Sequence, residues 1–452
     1  MIYKTIRIHL LLIFITLLLC SCFNRHIEPV GKLYIDDLIY IPQDPMFFAA
    51  MTDKHELLLP EETLDNFYNT FRRRFYRVWT DSLNVEHLLQ YHRSEISKFM
   101  RNPGIGENKL RREQAFGEML RDRAGLEDGF NTMRRGIMLN YTYIRAVPSI
   151  TPFFLDFALA GEGYPFDYWQ HSTIPIGTPI FVYHENDNWA LIDSHICSGW
   201  VPRNHIAFMD DEIIDRMMDA ELLAITKDKK PIFNWNHQYI GHVDIGTVFS
   251  IHREWESFYE VYFVHRTYDG VVLSNLYVKK DKSQRIPIPL TTYNIARLSS
   301  EMMGQVYGWG GLYFNRDCSQ SLLDLYIGFG ILLPRNGRAQ AYNFGVFHDM
   351  REIADNDVRK AEMIALGVPF LTLVRTPGHI MLYVGHIDGE PMVFHTVWGV
   401  RTIVPNDERD GRHIIGRTVI TSMEPGKSLH NINPNMTLIN RLEGITFFSS
   451  LH

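Results

Sequence analysis

The sequence is poor in cysteine and shows no excess of basic residues. Four cysteines occur in 452 residues, which is too few for a disulfide-based scaffold in a chain of this length. The formal net charge is -7, whereas nucleic-acid-binding proteins normally carry a basic surface. HExxH, paired CxxC motifs and a GxGxxG between a strand and a helix are also missing from the sequence, so zinc peptidases, zinc ribbons and dinucleotide-binding proteins are not indicated. We expect no nucleic-acid partner.

The first residues are typical of an exported protein. Lys4 and Arg7 precede the apolar run LLLIFITLLLCSC, which is too short and too close to the N-terminus for an ordinary membrane span. Its end, LCSC, resembles the bacterial lipoprotein signal, although Cys20 is larger than the usual small residue. We predict a signal peptide over 1–21, lipidation of Cys22 and an exported lipoprotein anchored on a membrane that faces the periplasm or cell envelope. An uncleaved anchor and a plain secretory signal are the alternatives.

Cleavage would leave two free sulfurs in the mature protein. It would also remove two positive charges, giving a mature charge of -7 - 2 = -9. The remaining sulfurs are Cys197 and Cys318, and either these two pair or at least one stays reduced for chemistry. Cys197 lies in the predicted turn HICSGW without a helix or an obvious base beside it, so we interpret it as structural.

The length indicates two to four domains. The segment ETLDNFYNTFRRRFYRVW carries apolar residues at spacings of three and four, which predicts one buried helix face; these residues are Leu64, Phe67, Phe71, Phe75 and Val78. Short runs of β-branched and aromatic residues, separated by turn residues, follow. The same pattern occurs in two successive segments, as expected for a duplicated small barrel. After the charged link KKDKSQRIPIPLTT, helices precede strands, which is typical of an α+β domain. The predicted domains are an N-terminal helical region over 22–140, a first barrel over 141–212, a second over 213–285, and an α+β domain over 286–452.

Cys318 is the first candidate for chemistry. It stands in NRDCSQSLLDLY, near the first turn of a predicted helix whose Leu322, Leu323, Tyr326 and Ile327 would face a core. Free backbone N–H groups at a helix start favour an anion, and they would lower the pKa of a thiol placed there. An isolated cysteine is more often a small core residue, so the position alone leaves both interpretations open.

Two downstream histidines provide a candidate base and its orienting partner. His379 opens the predicted strand HIMLYVGHI, and His395 ends the predicted strand PMVFH. Their separation of 16 positions fits two neighbouring antiparallel strands joined by a tight turn. A cysteine nucleophile needs a base, and that base needs an orienting group, so Cys318, His379 and His395 would make a complete triad.

At these residues the sequence resembles the NlpC/P60 family of papain-like bacterial cell-wall peptidases. The matching elements occur in family order and are YGWGG, RDCS, GFGILLPR, PGHIMLYVG and FHTVWG. Upstream, GEGYPFDYWQ and SGWVP are similar to the bacterial SH3-like domains of the γ-D-glutamyl-L-diamino acid endopeptidase branch. The resemblance implies an α+β fold with a papain-like NlpC/P60 catalytic domain, preceded by two SH3-like β-barrels and an N-terminal helical region.

The resemblance also implies a role for each matched residue. Cys318 is the nucleophile, His379 the general base and acid, and His395 the group that orients His379, while the hydroxyl of Tyr307 assists the oxyanion. Asp317 caps the helix rather than taking part in the chemistry. The predicted substrate-binding residues are Asp317, Ser319, Asn336, Glu162, Asp167 and Tyr168. No metal or organic cofactor is expected.

One element departs from the family pattern. Where the branch that recognises a free N-terminal L-Ala typically has Pro-Arg-Asp-Ser, this chain reads PRNG, with Asn336 in place of the acid. Asparagine cannot neutralise an ammonium group, which weakens a charge-assisted contact. Glu162 or Asp167 of the first SH3-like domain would have to supply the charge instead.

The implied reaction is hydrolysis of the γ-D-Glu–diamino acid amide in peptidoglycan stem peptides or their fragments, through a thioester. Alternatives are an amidase or acyltransferase of the same fold acting on another substrate, and a catalytically inactive wall-binding lipoprotein. The retained nucleophile, base and orienting residue favour an enzyme.

Overall fold

A computed structural model describes residues 34–81, 84–234, 236–267, 270–404 and 410–449. The chain divides into a unit of residues 1–35 and a much larger unit of residues 36–452. The predicted signal peptide and Cys22 lie outside the described residues. Within the described ranges, no helix is long and apolar enough to cross a membrane.

Among the described residues, five helices precede the first sheet: α1 (Asp37–Tyr40), α2 (Pro45–Ala49), α3 (Glu61–Thr80), α4 (Val85–Arg101) and α5 (Gln114–Ala124). The predicted apolar face of α3 is confirmed, because Phe67, Phe71, Phe75 and Val78 are buried and Leu64 packs beside them. Polar groups of the same helix contact two sheets. The indole N–H of Trp79 donates to Gly136 O at 2.9 Å, and the hydroxyl of Tyr76 lies 2.9 Å from the hydroxyl of Ser250. Helix α3 therefore joins the parts of the molecule that follow it.

The first sheet has seven antiparallel strands in the order β3-β2-β6-β5-β4-β1-β7. They are β1 (Arg134–Met138), β2 (Thr142–Arg145), β3 (Gln170–Ile174), β4 (Pro179–Glu185), β5 (Trp189–Asp193), β6 (Gly199–Pro202) and β7 (Ile206–Phe208). Alternating β-branched residues fill its interior, among them Ile144, Val182 and Ile192. Strand β1 begins before residue 141, where we predicted the first SH3-like domain to start.

Helix α6 (Asp211–Asp219) leads to a second sheet with the order β10-β9-β13-β12-β11-β8-β14. Its strands are β8 (Leu222–Ile225), β9 (Lys230–Asn234), β10 (Tyr239–Val243), β11 (Val248–Glu254), β12 (Phe258–Thr267), β13 (Gly270–Lys279) and β14 (Ser283–Arg285). Both seven-stranded sheets end in edge strands, so the described residues form two open SH3-like sheets. The predicted fold class, with its SH3-like domains, is confirmed. The sheets are open rather than closed into barrels, a detail that turn spacing and the pattern of strand residues do not reveal.

The remaining elements form the α+β domain. Helices α7 (Thr292–Met302), α8 (Cys318–Ile327), α9 (Gly337–Tyr342) and α10 (Asn356–Leu366) accompany a six-stranded antiparallel sheet with the order β15-β20-β16-β17-β18-β19. The strands are β15 (Val346–Asp349), β16 (Thr372–Thr376), β17 (His379–Ile387), β18 (Glu390–Ile403), β19 (Asp410–Ser422) and β20 (Gly444–Phe447).

Helix α8 lies at the centre of this domain. Its apolar residues Leu322, Leu323, Tyr326 and Ile327 are almost completely buried, as predicted, and they belong to one continuous core with residues of α3, α7 and the six-stranded sheet. A helix enclosed in this way has little freedom to shift. The position of its first residue, Cys318, is therefore fixed by packing.

Candidate active site

The loop before α8 can take its path only because it contains glycine. Gly310 and Gly311 have φ values of 58° and 90°, in the left-handed region that side chains disfavour. A Cβ atom at Gly310 would stand 2.2 Å from Gln170 O. The side-chain amide of Gln170 donates to Gly310 O at 2.9 Å. The two glycines of the YGWGG element thus let the loop pack directly on strand β3.

Cys318 is the first residue of α8, and Asp317 is its N-cap. The Oδ1 atom of Asp317 accepts from the backbone N–H of Gln320 at 2.9 Å, which is the expected capping contact. Its Oδ2 atom accepts from Gly310 N at 3.1 Å. Asp317 therefore holds the helix start and the glycine loop together, as the capping role predicted.

Arg335 neutralises the Asp317 carboxylate. Its Nη2 atom lies 2.7 Å from Asp317 Oδ2, and its Nη1 atom donates to the hydroxyl of Ser319 at 2.8 Å. Its Nε atom donates to the hydroxyl of Ser172, from the first sheet, at 2.8 Å. Burial alone would raise the pKa of Asp317, but Arg335 outweighs it and the pKa is lowered. Direct contact of Asp317 and Ser319 with substrate stays a prediction.

The two histidines lie on paired strands, as predicted from their spacing. Strand β17 is antiparallel to β18, and His379 Nε2 lies 2.8 Å from His395 Nδ1. The other ring nitrogen of His395, Nε2, lies 3.0 Å from the hydroxyl of Thr421 on strand β19. That hydroxyl donates its proton to Ser422 O at 2.8 Å. A relay of hydrogen bonds therefore runs from His379 through His395 to Thr421.

This relay assigns the proton positions on both rings. Because the Thr421 hydroxyl gives its only proton to Ser422 O, it must accept from the Nε2–H of His395. A neutral imidazole has one donor and one acceptor nitrogen, so His395 Nδ1 accepts from the Nε2–H of His379. The unprotonated nitrogen of His379 is then Nδ1. The pairing of the two histidines and the hydroxyl of Thr421 therefore leave Nδ1 of His379 free to accept a proton, as a general base must.

The start of the described chain anchors strand β19 on both sides of Thr421. The side-chain amide of Gln43 donates to Ile420 O at 2.8 Å and accepts from Ile420 N at 3.0 Å. The Asp37 carboxylate accepts from Ser422 N at 3.0 Å and from its hydroxyl at 2.8 Å. Since β19 is an edge strand, these side chains supply the pairing that a further strand would give.

The cysteine and the histidine are both uncharged at neutral pH. Cys318 is partly exposed at the cavity and enclosed by protein elsewhere, and burial followed by Asp317 raises its pKa to about 11, against hydrogen bonds from Ile380 N and Ser319 N. Burial followed by Arg375 and Arg441 lowers the pKa of His379 to about 4. The lowered thiol pKa expected from the helix start was wrong, because desolvation outweighs the helix-end N–H groups.

One cavity of about 990 Å³ collects most of the predicted site residues. Its lining includes Cys318, His379, His395, Tyr307, Asp317, Ser319, Asn336 and Tyr168. The phenol of Tyr307 is buried beside Cys318, and burial, Asp317 and Cys318 together hold its pKa well above the usual value. Tyr307 therefore stays protonated and can donate a hydrogen bond.

The two acids predicted to replace the family carboxylate lie outside this lining. Asp167 is buried in an ion pair with Arg145, with Nη1 and Oδ2 2.6 Å apart, and its Oδ1 accepts from Phe153 N at 2.9 Å. This engagement removes Asp167 as a free carboxylate for a ligand, so its predicted role was wrong. Glu162 is half-buried and raises the pKa of the cavity residue Tyr168, after the effect of burial. A substrate contact by Glu162 stays a prediction.

Asn336 begins helix α9 rather than reaching freely into the cavity. Its side-chain oxygen accepts from Arg338 N at 2.8 Å and from Ala339 N at 3.4 Å. The amide nitrogen of Asn336 is the part of the side chain that a ligand could contact. At the position where the family branch has a charged aspartate, this chain therefore has an uncharged asparagine whose side-chain oxygen caps α9.

Sequence reasoning missed Thr421 and Arg335 as site residues. Thr421 carries no motif signal, because its contribution depends on the register of β18 against β19. Arg335 belongs to the element GFGILLPR, which the sequence shows, but its pairing with Asp317 could not be predicted from the sequence.

Cys197 and Cys318 are both free thiols, and Cys197 lines the same cavity. In the described part of the chain, no group of three His, Cys, Asp or Glu side chains could hold a metal ion.

Comparison with solved structures supports the fold. The chain is similar to a protein described as a novel NlpC/P60 endopeptidase from Photobacterium damselae subsp. piscicida, with 25% identity and a TM-score of 0.81 over 91% of this chain and 97% of that one. It is also similar to an NlpC/P60 family protein from Bacillus cereus ATCC 10987, with 14% identity over 70% of this chain and 99% of that one. The TM-score of this second match is 0.45, which is too low to support an argument. A search of curated proteins gave no match.

Three family models match successive parts of the chain. Residues 11–128 match the NLPC_P60 stabilising domain, N term, and residues 152–202 match the SH3 domain of SH3b1 type. Residues 304–412, which contain Cys318, His379 and His395, match the NlpC/P60 family. The order of stabilising domain, SH3-like domain and α+β domain agrees with the order of elements in the structure. The chain therefore carries an NlpC/P60 domain, preceded by an NLPC_P60 stabilising domain and an SH3b1-type SH3 domain.

Proposed function

We propose that this protein is a cysteine endopeptidase that hydrolyses the γ-D-Glu–diamino acid amide of peptidoglycan stem peptides. The observation that carries the proposal is the relay from His379 through His395 to Thr421, on the cavity that also exposes Cys318. Family membership supports a cell-wall peptidase. The substrate bond is taken from the branch of the family that the SH3-like elements resemble.

In the acylation step, His379 Nδ1 takes the thiol proton as Cys318 Sγ attacks the γ-carbonyl carbon of D-Glu. Because the pKa of the thiol is raised and that of the imidazole is lowered, proton transfer and attack proceed together rather than from a preformed ion pair. The charge on the imidazolium is shared with His395 through the 2.8 Å hydrogen bond.

The developing oxyanion requires donors aimed at its position. We assign this role to the backbone N–H of Cys318, at the start of α8, and to the protonated phenol of Tyr307. Collapse of the tetrahedral intermediate breaks the C–N bond, and His379 gives its proton to the leaving amine of the diamino acid. Water then attacks the thioester with His379 as base, which releases the D-Glu carboxylate and restores the thiol.

The proposed function includes the location of the enzyme. A lipid on Cys22 would hold the protein on a membrane facing the cell wall, where stem peptides occur. Replacement of Cys22 by Ala should move the protein from the membrane fraction to the soluble fraction and abolish incorporation of labelled fatty acid. Absence of labelled fatty acid from the intact protein would contradict lipidation, even if that protein is found in the membrane fraction.

The enzymatic proposal is tested with matched cysteine variants. The intact protein, Cys318→Ala and Cys197→Ala are incubated with purified stem peptides, and the products are identified by mass. We expect cleavage between D-Glu and the diamino acid by the intact protein and by Cys197→Ala, whose changed thiol lies on the same cavity, and none by Cys318→Ala. Failure of the intact protein to cleave any stem peptide would overturn the proposal and favour a different amide or ester substrate, or an inactive wall-binding role.

The contribution of Asn336 is tested by comparing the cleavage of stem peptides whose L-Ala amine is free with that of peptides whose L-Ala amine is blocked. Because Asn336 carries no charge and its oxygen caps α9, we expect only a small loss of cleavage when the amine is blocked. A strong requirement for the free amine would show that another carboxylate, such as that of Glu162, binds it.

A further inference from the structure

We propose that Arg401, Arg412 and Arg441 form a carboxylate-binding subsite on the side of the cavity that receives the leaving diamino acid. We call these three residues the arginine subsite. The inference rests on the proposed function and deepens it, because the subsite would select stem peptides whose diamino acid carries a carboxylate.

The cavity has a pronounced excess of positive charge. Among its described lining residues are six arginines and a single carboxylate, Asp317. Two of the arginines have partners outside the subsite, since Arg335 binds Asp317 and Arg375 binds Glu443 with Nε and Oε2 3.0 Å apart. A cavity lined in this way attracts an anionic ligand.

Within the subsite, two positive charges lie directly opposite each other. Arg401 on β18 and Arg412 on β19 are cross-strand partners in the antiparallel register, an arrangement that is unfavourable for like charges. Asp410 binds Arg401 at 2.7 Å and lies 4.0 Å from Arg412. Among the described residues, this one carboxylate serves both arginines, so a second anion would relieve their repulsion.

Arg441 adds a third cation. Burial lowers the pKa of Arg441, and Arg401 lowers it further. Burial also lowers the pKa of Arg412, followed by the effect of Arg401 and then that of Arg441. The three guanidinium groups are therefore close enough to disfavour one another's charge. Guanidinium groups match carboxylates in shape and can bind them through two parallel hydrogen bonds.

Contacts around His379 indicate which part of the substrate would reach this subsite. The Nη2 atom of Arg441 donates to Pro377 O at 2.7 Å, two residues before His379. His379 gives its proton to the leaving amine, so the newly formed amine lies beside it. That amine belongs to the diamino acid, whose carboxylates then extend toward Arg441 and its neighbours.

Two carboxylates of the substrate share this chemistry: the C-terminal one of a tripeptide and the side-chain one of diaminopimelate. Four peptides of the form L-Ala-γ-D-Glu-X distinguish them, where X is meso-diaminopimelate, its side-chain amide, L-lysine or L-lysine amide. We expect the intact protein to show a kcat/KM about 10-fold or more higher for the peptide bearing the recognised carboxylate, which corresponds to about 1.4 kcal/mol.

The variants Arg412→Gln and Arg441→Gln should remove that preference by raising KM for the carboxylated peptide. In the Arg412→Gln variant, cleavage of the L-lysine amide peptide should stay within about 2-fold of the intact protein, which also reports correct folding. Arg412→Lys should retain part of the preference, and the control Arg338→Gln, an exposed cavity arginine outside the subsite, should retain all of it.

Cleavage of all four peptides at equal rates by the intact protein would overturn the subsite and leave the proposed function standing. An equal loss on all four peptides in the Arg412→Gln variant would also overturn it, because such a loss indicates a structural role. If the intact protein cleaves none of the peptides, the proposed function itself fails.

Discussion

The Nε2 atom of His379 and the Nδ1 atom of His395 are joined by a 2.8 Å hydrogen bond, and the direction of that bond is set by a residue on a third strand. Thr421 accepts from the opposite nitrogen of His395, so His395 must accept from His379. The base therefore depends on a side chain two hydrogen bonds away from its reactive nitrogen.

Replacement of Thr421 by Val should lower kcat and leave KM nearly unchanged. Valine keeps the shape of the side chain but leaves the Nε2–H of buried His395 without a partner, at a cost of about 1–3 kcal/mol, so we expect kcat to fall by about 10-fold or more. Thr421→Ser, which keeps the hydroxyl, should retain most of the rate. Steady-state kinetics of both variants provide the test, and a normal kcat for Thr421→Val would refute the role of the relay.

The pH dependence of kcat/KM should show an unusually low acid limb. His379 must be neutral to accept the thiol proton, and burial lowers its pKa to about 4. Activity should therefore be lost only as the pH falls through about 4, rather than near the ordinary histidine value of about 6.5. The profile for kcat/KM reports the free enzyme, and a half-maximal value near pH 6.5 would contradict this prediction.

Asp317→Asn should both destabilise the fold and make the thiol more acidic. Asparagine can still cap α8, but the buried Arg335 loses its counter-ion, which costs about 3–5 kcal/mol. Because Asp317 raises the pKa of Cys318, its neutralisation should lower that pKa. Denaturant unfolding measures the first effect, and the pH dependence of alkylation of Cys318 measures the second.

Ser319→Ala is the control for this experiment, since it retains the pair of Asp317 with Arg335. We expect a loss of about 1 kcal/mol and little change in the alkylation profile. An Asp317→Asn variant as stable as Ser319→Ala would show that the buried ion pair contributes little.

Arg316→Met should weaken the protein more at high pH than at low pH. Arg316 is buried between Asp228, in the connection from β8 to β9, at 2.7 Å, and Asp324 of α8, at 2.6 Å. Burial raises the pKa of Asp324 to about 6 although Arg316 lies beside it. Burial also acts to raise the pKa of Asp228, but Arg316 outweighs this effect and the pKa of Asp228 is lowered. Without the arginine, both carboxyls would have raised pKa values in the folded state.

The sign follows from proton linkage. Raised folded-state pKa values favour the folded state at low pH, where both carboxyls are protonated, and that stability is lost as the pH rises through them. We expect a loss of about 3–5 kcal/mol at pH 8 and a clearly smaller loss at pH 5, as measured by denaturant unfolding. Equal losses at the two pH values would contradict the explanation.

Much of the fold could be predicted from the sequence because its signals are local. The apolar spacing in α3, the helix that begins at Cys318 and the pairing of β17 with β18 all follow from periodicity and turn residues. Whether the SH3-like sheets close could not be predicted, because closure depends on pairing between distant strands. The thiol pKa was predicted in the wrong direction, since the helix start is visible in the sequence while the burial of Cys318 is a property of the whole domain.

The site residues show the same contrast between local sequence signals and contacts that depend on distant parts of the chain. His379 and His395 carry a motif and a spacing, whereas Thr421 is defined only by the register of β18 and β19. Asp167 was predicted to be available for a ligand amine because its partner, Arg145, lies 22 residues away, on strand β2. Acidic residues in a sequence cannot be classed as free until their counter-ions are known.

The contacts of Asp37 and Gln43 with Ser422 and Ile420 join positions separated by 385 and 377 residues. Contacts between such distant positions form late in folding. During synthesis, Asp37 and Gln43 must wait until strand β19 has left the ribosome. We therefore expect a nascent or truncated chain that ends before β19 to lack a correctly held base and to show none of the proposed hydrolysis.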